Sequence, residues 1–241
     1  MRTKLTIVSI VAGCLAAAAS IFVAAARLFG WVGFAVCTVT AAAKILFYVR
    51  VVRPWHSRWG ATDEEVARAM PGDEIISEAH STTRAISVAC PPEHLWNWLV
   101  QLGYGRGGWY SYDWIDNDGK PSADRIDPAL QDLKVGGQID MLPGFGPKVR
   151  ELVPGDHFVA GDVQGGTWCL AVYPEAGGSR LVSRWRQNWT ANGIGARFFI
   201  SIADPGAFLM EQKMLRTLRD RAGRTGAQAQ SRFEASSEEV A

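Results

Sequence analysis

The first apolar pattern along the chain has no period. Residues 5–26 carry no charged side chain. As a helix rising about 1.5 Å per residue, they reach the ~30 Å hydrocarbon core of a bilayer. After Arg27 a second apolar stretch covers residues 28–43 and resumes beyond Lys44 over residues 45–49. Gly30 and Gly33 at the junction suit a tight reversal. The pattern predicts a transmembrane helical hairpin over residues 1–52, with Lys44 reaching an interface or facing a partner. A cleaved leader ending at Ala24-Ala25-Ala26 and a single-span anchor are the rival readings. The run is longer than the ~7–15 apolar residues of a usual leader, and another apolar run follows it.

Beyond this head the pattern becomes amphipathic. Residues 53–81 read as a juxtamembrane segment with one short helix. Thr62 caps that helix, Asp63-Glu64-Glu65 fill its first turn, and it stops before Pro71-Gly72. Residues 82–89 read as a strand. Pro91-Pro92-Glu93 opens a helix to residue 102, with Leu95, Leu99 and Leu102 on one face, Trp98 flanking them, and His94 and Gln101 on the other side. A short helix is expected within residues 124–133. Six strand candidates follow, at 138–142, 148–153, 157–160, 167–173, 180–189 and 194–202. Pro143-Gly144, Pro154-Gly155, Gly165-Gly166, Gly177-Gly178 and Asn192-Gly193 separate them, the punctuation of an antiparallel meander. Asp204-Pro205 then starts a final helix to residue 222. Polar residues 223–241 read as a disordered tail. The fold class is therefore α+β: residues 82–222 form an antiparallel sheet whose apolar face the long C-terminal helix covers.

Charge refines the location. The 241 residues have a net charge of +1, but all five charged side chains in residues 1–50 are basic (Arg2, Lys4, Arg27, Lys44, Arg50). Arg2 and Lys4 precede the first span, Arg50, Arg53 and Arg58 follow the second, and only Arg27 marks the turn. The positive-inside bias places both ends, and the soluble domain, on the cytoplasmic side, with Trp55 and Trp59 suited to an interfacial belt. Residues 51–241 carry 20 basic and 24 acidic groups, which excludes nucleic acid as a partner. Cys14, Cys37, Cys90 and Cys169 lack metal or redox spacing. His56, His80, His94 and His157 form no ligand pair. Neither a G-x-S-x-G elbow nor a P-loop occurs. Nothing calls for a metal or a cofactor.

One set of motifs is more specific. It comprises Trp59-Gly60-Ala61-Thr62 with Glu64-Glu65, Met70-Pro71-Gly72-Asp73-Glu74, and Trp98-Leu99-Val100-Gln101-Leu102-Gly103. It continues with Arg106-Gly107-Gly108-Trp109-Tyr110-Ser111-Tyr112-Asp113, Ala123-Asp124-Arg125-Ile126, Leu130-Gln131-Asp132-Leu133 and Phe208-Leu209-Met210-Glu211. Through these, residues 59–222 resemble the SRPBCC superfamily, of START-like helix-grip fold, and within it bacterial membrane-anchored members. Gly136-Gly137 departs from the group, where Gly-Asp is usual. The resemblance implies a sheet wrapped on a long C-terminal helix with a ligand held between them. The wider superfamily includes lipid and sterol carriers, aromatic polyketide cyclases and regulators of membrane-complex assembly.

Candidate site residues follow. Gly103-Tyr104-Gly105-Arg106-Gly107-Gly108 matches G-x-G-x-x-G, but a helix precedes it and aromatics follow, so it reads as a glycine-rich turn rather than a dinucleotide site. Tyr104, Trp109, Tyr110, Tyr112 and Trp114, with Trp98, would line the mouth of an apolar pocket or pack as a satellite core. Glu211 falls at the centre of the apolar arc Phe208, Met210, Met214, Leu215 and Leu218, where a carboxylate must be paired or hold its proton. It either orients a ligand or acts as acid/base, or it bonds an arginine of the sheet. Arg180, Arg184 and Arg186 share one strand face, opposite Leu181, Ser183, Trp185 and Trp189, and Arg197 is a further partner. With Arg184 or Arg125, Glu211 would meet a polar head. Asp113, Asp116 and Asp118 read as a solvated acidic loop. Three functions are consistent with this. The leading one is a membrane-anchored domain that binds or carries a small apolar or amphiphilic molecule, lipid-like or aromatic. The second is a polyketide cyclase/dehydrase-like enzyme using Glu211 or a loop Asp. The third is a ligand-free partner of a membrane-protein complex.

Overall fold

The computed structural model describes residues 2–77, 79–188 and 193–238, and the chain divides into two compact units, at His56 and Ser57. In the first unit, α1 (Arg2–Phe47) runs on through a π-helical turn (Tyr48–Val52) into α2 (Arg53–Ser57). Its helical backbone is broken once, at Gly30, where φ is 59° and ψ −144°. That conformation is open to glycine and closed to residues with a Cβ. Phe22 and Phe34 would stand about 18 Å apart along a straight helix, yet their ring centroids are 5.9 Å apart. The chain therefore doubles back at Gly30. A Cβ on Gly33 would lie 2.2 Å from the carbonyl oxygen of Ala25, so the two arms approach as backbone against backbone. The segment Ala12–Ser57 is long and apolar enough, by length and composition, to cross a membrane.

The second unit is α+β. After α3 (Asp63–Ala67) come β1 (His80–Val88), α4 (Pro92–Leu99), α5 (Asp113–Asp116), β2 (Val149–Val153), β3 (His157–Asp162), β4 (Gly166–Glu175), β5 (Gly178–Gln187) and α6 (Ile194–Glu238). The five strands pair antiparallel in the order β1-β5-β4-β3-β2. The meander thus ends beside the first strand, and α6 lies on the sheet in a helix-grip arrangement.

Strand periodicity sorts the side chains onto two buried faces. Ile86, Val88, Phe158, Ala160, Trp168, Leu170, Val172 and Leu181 join α4 and α6 residues such as Leu95, Leu99, Leu215 and Leu218 in the main core. Ala85, Val159, Cys169, Ala171 and Val182 point the other way and pack with Met70. The second face is closed by the segment that reads as juxtamembrane in the sequence. Three arginines alternating along β5 hold it there. Arg180 bonds Glu65 at 2.7 and 2.8 Å and the carbonyl of Gly60 at 2.6 Å. Arg184, 3% exposed, bonds Asp73 at 2.6 Å, Thr83 at 3.0 Å and the carbonyls of Glu65, Val66 and Arg68. Arg186 bonds the carbonyl of Ile76 and lies 3.5 Å from Asp73. Arg180 and a capping box shared with Thr62 keep the Glu65 carboxyl below its usual range. Trp59 is half-buried against Phe208 at 6.4 Å and lies under Arg216, so its ring packs within this unit.

Three expectations fail. Residues 138–142 make only isolated bridges, Gln138 to Lys148 and Leu142 to Phe145. Residues 194–202 are helical, and α6 passes through Pro205 instead of starting there. Ile194, Phe198, Phe199 and Ile202 recur at helical spacing, and a short apolar run of this kind does not distinguish strand from helix. α6 also runs to Glu238, past residue 222, through a stretch in which Ala, Gln, Glu and Arg favour helix. Trp189, assigned to the strand above, lies outside the described residues.

Because Arg184 is buried with Asp73 and three carbonyls, Arg184→Ala removes a donor from each of the carbonyls and leaves Asp73 with the Met70 amide and the more distant Arg186. Loss of about 3–5 kcal/mol of stability is expected, measured by urea unfolding. Arg180→Ala, at a more exposed pair, should cost clearly less.

Candidate functional site

A cavity of about 280 Å³ opens between the sheet and α6. Its apolar wall is Trp109, Trp168, Trp185, Met141, Met210 and Met214, and its polar groups come from Arg84, Ser111, Asp116 and Glu211 among others. β4 and β5 set Trp168 and Trp185 side by side, because those residues are paired in register. Their rings stack at 4.9 Å with planes 9° apart. Trp109 leans on Trp168 at 5.8 Å, and Phe158 meets it edge-on at 5.7 Å.

Glu211 hangs from α6 into this wall and is 8% exposed. It forms a buried ion pair with Arg84. It also accepts a 2.5 Å hydrogen bond from the Ser183 hydroxyl, which in turn accepts the Trp168 indole N–H at 2.9 Å. Arg84 and Ser183 are register partners on β1 and β5, so both face the same helix. The β5 arginines expected to meet Glu211 (Arg180, Arg184 and Arg186) lie on the opposite face, where Arg184 is bound to Asp73. Leu181, Ser183 and Trp185 do share one face as strand alternation predicts, and that face, not the arginine face, is the one turned to α6. The true partner, Arg84, sits inside the strand expected over residues 82–89 and is not among the candidate residues.

The nine candidate side chains scatter. Trp109 and Glu211 line the cavity. Trp98 and Tyr110 do not. They are buried in the core with rings 5.8 Å apart, and the Tyr110 hydroxyl accepts a 2.6 Å bond from Gln101. Tyr104 donates its hydroxyl to Asp118 at 2.8 Å. Tyr112 is half-buried, Trp114 is 58% exposed and Arg125 is exposed, none of them on the cavity wall. The glycine-rich turn serves packing: at Gly108, with φ 83°, a Cβ would stand 2.4 Å from the Ser122 hydroxyl.

The acidic loop is not a solvated cluster. Asp113 accepts the Ser122 amide and hydroxyl at 3.0 and 2.5 Å, and Asp118 is held by Tyr104. Asp116, 3% exposed, lines the cavity instead, and neither carboxylate oxygen has a hydrogen-bond partner. Burial pushes its pKa up to about 6, the Asp113 carboxylate adding to the shift. The nearby Ser111 hydroxyl acts in the opposite direction without reaching hydrogen-bonding geometry. Sequence spacing gives no sign that the middle of three loop acids turns inward. The signal is the short α5, which places Asp113 and Asp116 three residues apart with one carboxylate bonded to Ser122.

No protein-family model and no curated protein matches the chain. Solved structures that it resembles include a Nitrosomonas europaea protein, at 15% identity and a TM-score of 0.39, covering 65% of this chain and 99% of that one. A Polyketide_cyc-like protein of Corynebacterium glutamicum is similar at 15% identity and a TM-score of 0.31, over 69% and 97%. An AHSA1-like protein of Rhizobium etli is similar at 11% identity and a TM-score of 0.35, over 61% and 83%.

An acid whose pKa rises on folding binds its proton more tightly folded than unfolded. Asp116 therefore lowers stability as pH climbs from about 4 through 6, and the loss persists above that. Two pKa units correspond to about 3 kcal/mol. Asp116→Asn should exceed the wild type in stability by about 1–3 kcal/mol at pH 7.5 and show no advantage at pH 4. Urea unfolding at the two pH values reads the difference, and equal gains at both would take the pH-dependent burden off Asp116.

Proposed function

We propose that the chain is a membrane-tethered domain that binds a small apolar or amphiphilic molecule in the cavity between its sheet and α6. The observation that carries this reading is the cavity itself: about 280 Å³ walled by three tryptophans and three methionines. An engineered apolar cavity of about 150 Å³ takes up benzene, so this one suits a bicyclic ring system or a medium-length chain. The long apolar Ala12–Ser57 segment and its basic flanks support anchoring, with the second unit on the cytoplasmic side. The bilayer would then supply or receive the ligand, and the anchor keeps the cavity close to it.

Asp116 favours a second reading, the acid/base enzyme of cyclase or dehydrase type. A carboxyl on a cavity wall with a pKa of about 6 can exchange a proton near neutrality. Glu211 does not fit that role, because Arg84 and Ser183 fix both of its oxygens.

Two measurements test the leading proposal. Native mass spectrometry of the full chain released from nanodiscs, followed by solvent extraction, should find an apolar molecule of bicyclic size, and titrating that molecule back should shift the tryptophan emission. An empty protein whose emission ignores apolar probes would sink the binding reading. For the anchor, reporters fused before residue 2 and after residue 60 should both be active in the cytoplasm. Activity of the second reporter outside the cytoplasm would overturn the two-span topology.

A further inference from the structure

The cavity has two polar regions of opposite character. Around Arg84, Glu211, Ser183 and Trp168 every group named has a partner inside the protein. Along the loop that runs from Trp109 into α5, three groups have none: the Trp109 indole N–H, the Ser111 hydroxyl and both oxygens of Asp116. All three residues line the same cavity. A buried polar atom left without a partner is destabilising by an amount comparable to a lost hydrogen bond, and native proteins keep few of them. Three on one cavity wall form a set with defined demands. The indole N–H needs an acceptor, the carboxylate needs a donor, and the serine hydroxyl accepts either.

We infer that the wall formed by Trp109, Ser111 and Asp116 is the subsite that orients the ligand, and that it selects an apolar molecule bearing a neutral hydroxyl group. A hydroxyl is the small group that both donates and accepts, so it can bond Asp116 and the Trp109 N–H together. An ammonium group only donates and leaves the indole unmet. A carboxylate only accepts, and it would meet Asp116 with like charge, with Glu211 and Asp204 also on the cavity wall and Asp113 behind the loop. The Arg84 cation does not offset this, since Glu211 already neutralises it. The assignment rests on the cavity being a binding site and adds which end of the ligand it reads.

The test uses the full chain in phosphatidylcholine nanodiscs and four probes of one shape: naphthalene, 1-naphthalenemethanol, 1-naphthylmethylammonium and 1-naphthoate. Calorimetric titration should give 1-naphthalenemethanol about tenfold higher affinity than naphthalene, the worth of one good hydrogen bond, and naphthoate the lowest. Asp116→Ala, and separately Trp109→Phe, which keeps an aromatic side chain and removes the donor, should each cut the ratio of alcohol to naphthalene affinity severalfold. Naphthalene measured on the same variant corrects for any change in the size of the cavity. Naphthoate or the ammonium binding as tightly as the alcohol would overturn the assignment, as would a preference for the alcohol that survives both substitutions. Ala207→Trp, at an exposed cavity position, separates the two levels of the argument. If it abolishes naphthalene binding, the cavity is the site whatever the hydroxyl result. If naphthalene binds the blocked variant and the wild type alike, the cavity reading fails and takes the subsite with it.

Discussion

The buried pair between Arg84 and Glu211 joins the first strand to the last helix across 127 residues of sequence. Both side chains are nearly sealed from solvent, at 3% and 9% exposure. An apolar helix packed on an apolar sheet can slip by a turn at modest cost. A buried ion pair forbids the slip, because any displacement leaves two charges unpaired in a medium of low polarity. The helix register fixed in this way sets the rest of the cavity. Glu211 holds Ser183, Ser183 holds the Trp168 indole, and Trp168 stacks on Trp185. The floor of the cavity is thus positioned by a chain of bonds that begins at one carboxylate.

The opposite face of the sheet depends on β5 for the same reason of alternation. Its even positions present Arg180, Arg184 and Arg186 to the segment preceding β1, while its odd positions present Leu181, Ser183 and Trp185 to α6. A sheet with a single helical cover would leave Ala85, Val159 and Ala171 to water. Here they are closed over by a chain of few apolar residues, held by guanidinium groups that bond carbonyls and carboxylates alike. Arginine suits this work because its planar fork offers five donors in fixed directions.

Much of this was legible in the sequence, and the boundary between what was and what was not is physical. Local chemistry spoke clearly. Thr62 gives the helix cap, Gly30 gives the reversal, and the spacing of β2 to β5 follows the turn residues between them. The alternation along β5 separated Arg180, Arg184 and Arg186 from Leu181, Ser183 and Trp185, but not which of the two faces meets α6. What needs a long-range contact stayed hidden. Arg84 lies in Thr82-Thr83-Arg84-Ala85-Ile86, where nothing local says that a cation turns inward to meet a residue in the last helix. The residues at 194–202 are apolar enough for either a strand or a helix, and the context that chose helix lies in the continuation of α6. Aromatic density around residue 109 pointed to the right loop. It did not separate Trp109, which reaches the cavity, from Tyr110, which the left-handed backbone at φ 55° turns into the core towards Gln101.

That same loop shows how a site differs from a core. Asp113, Ser122, Tyr104 and Asp118 satisfy one another and fasten the loop in place. With the scaffold so fastened, Asp116 cannot retreat to solvent, and its ionised form is opposed both by burial and by Asp113. Replacing the carboxyl with an apolar group of similar size would relieve this strain and break no well-formed hydrogen bond, giving up the weaker attraction of the Ser111 hydroxyl and the nearby backbone. A residue that weakens the fold more than it supports it is what a binding or catalytic position looks like from the side of stability. Glu211 is the contrast: also a carboxylic side chain on the cavity wall, but necessary to the helix register and so unavailable to a ligand. Judged by burial and position alone, the two carboxylates are alike. Their partners separate the one that holds the structure together from the one that the structure holds ready.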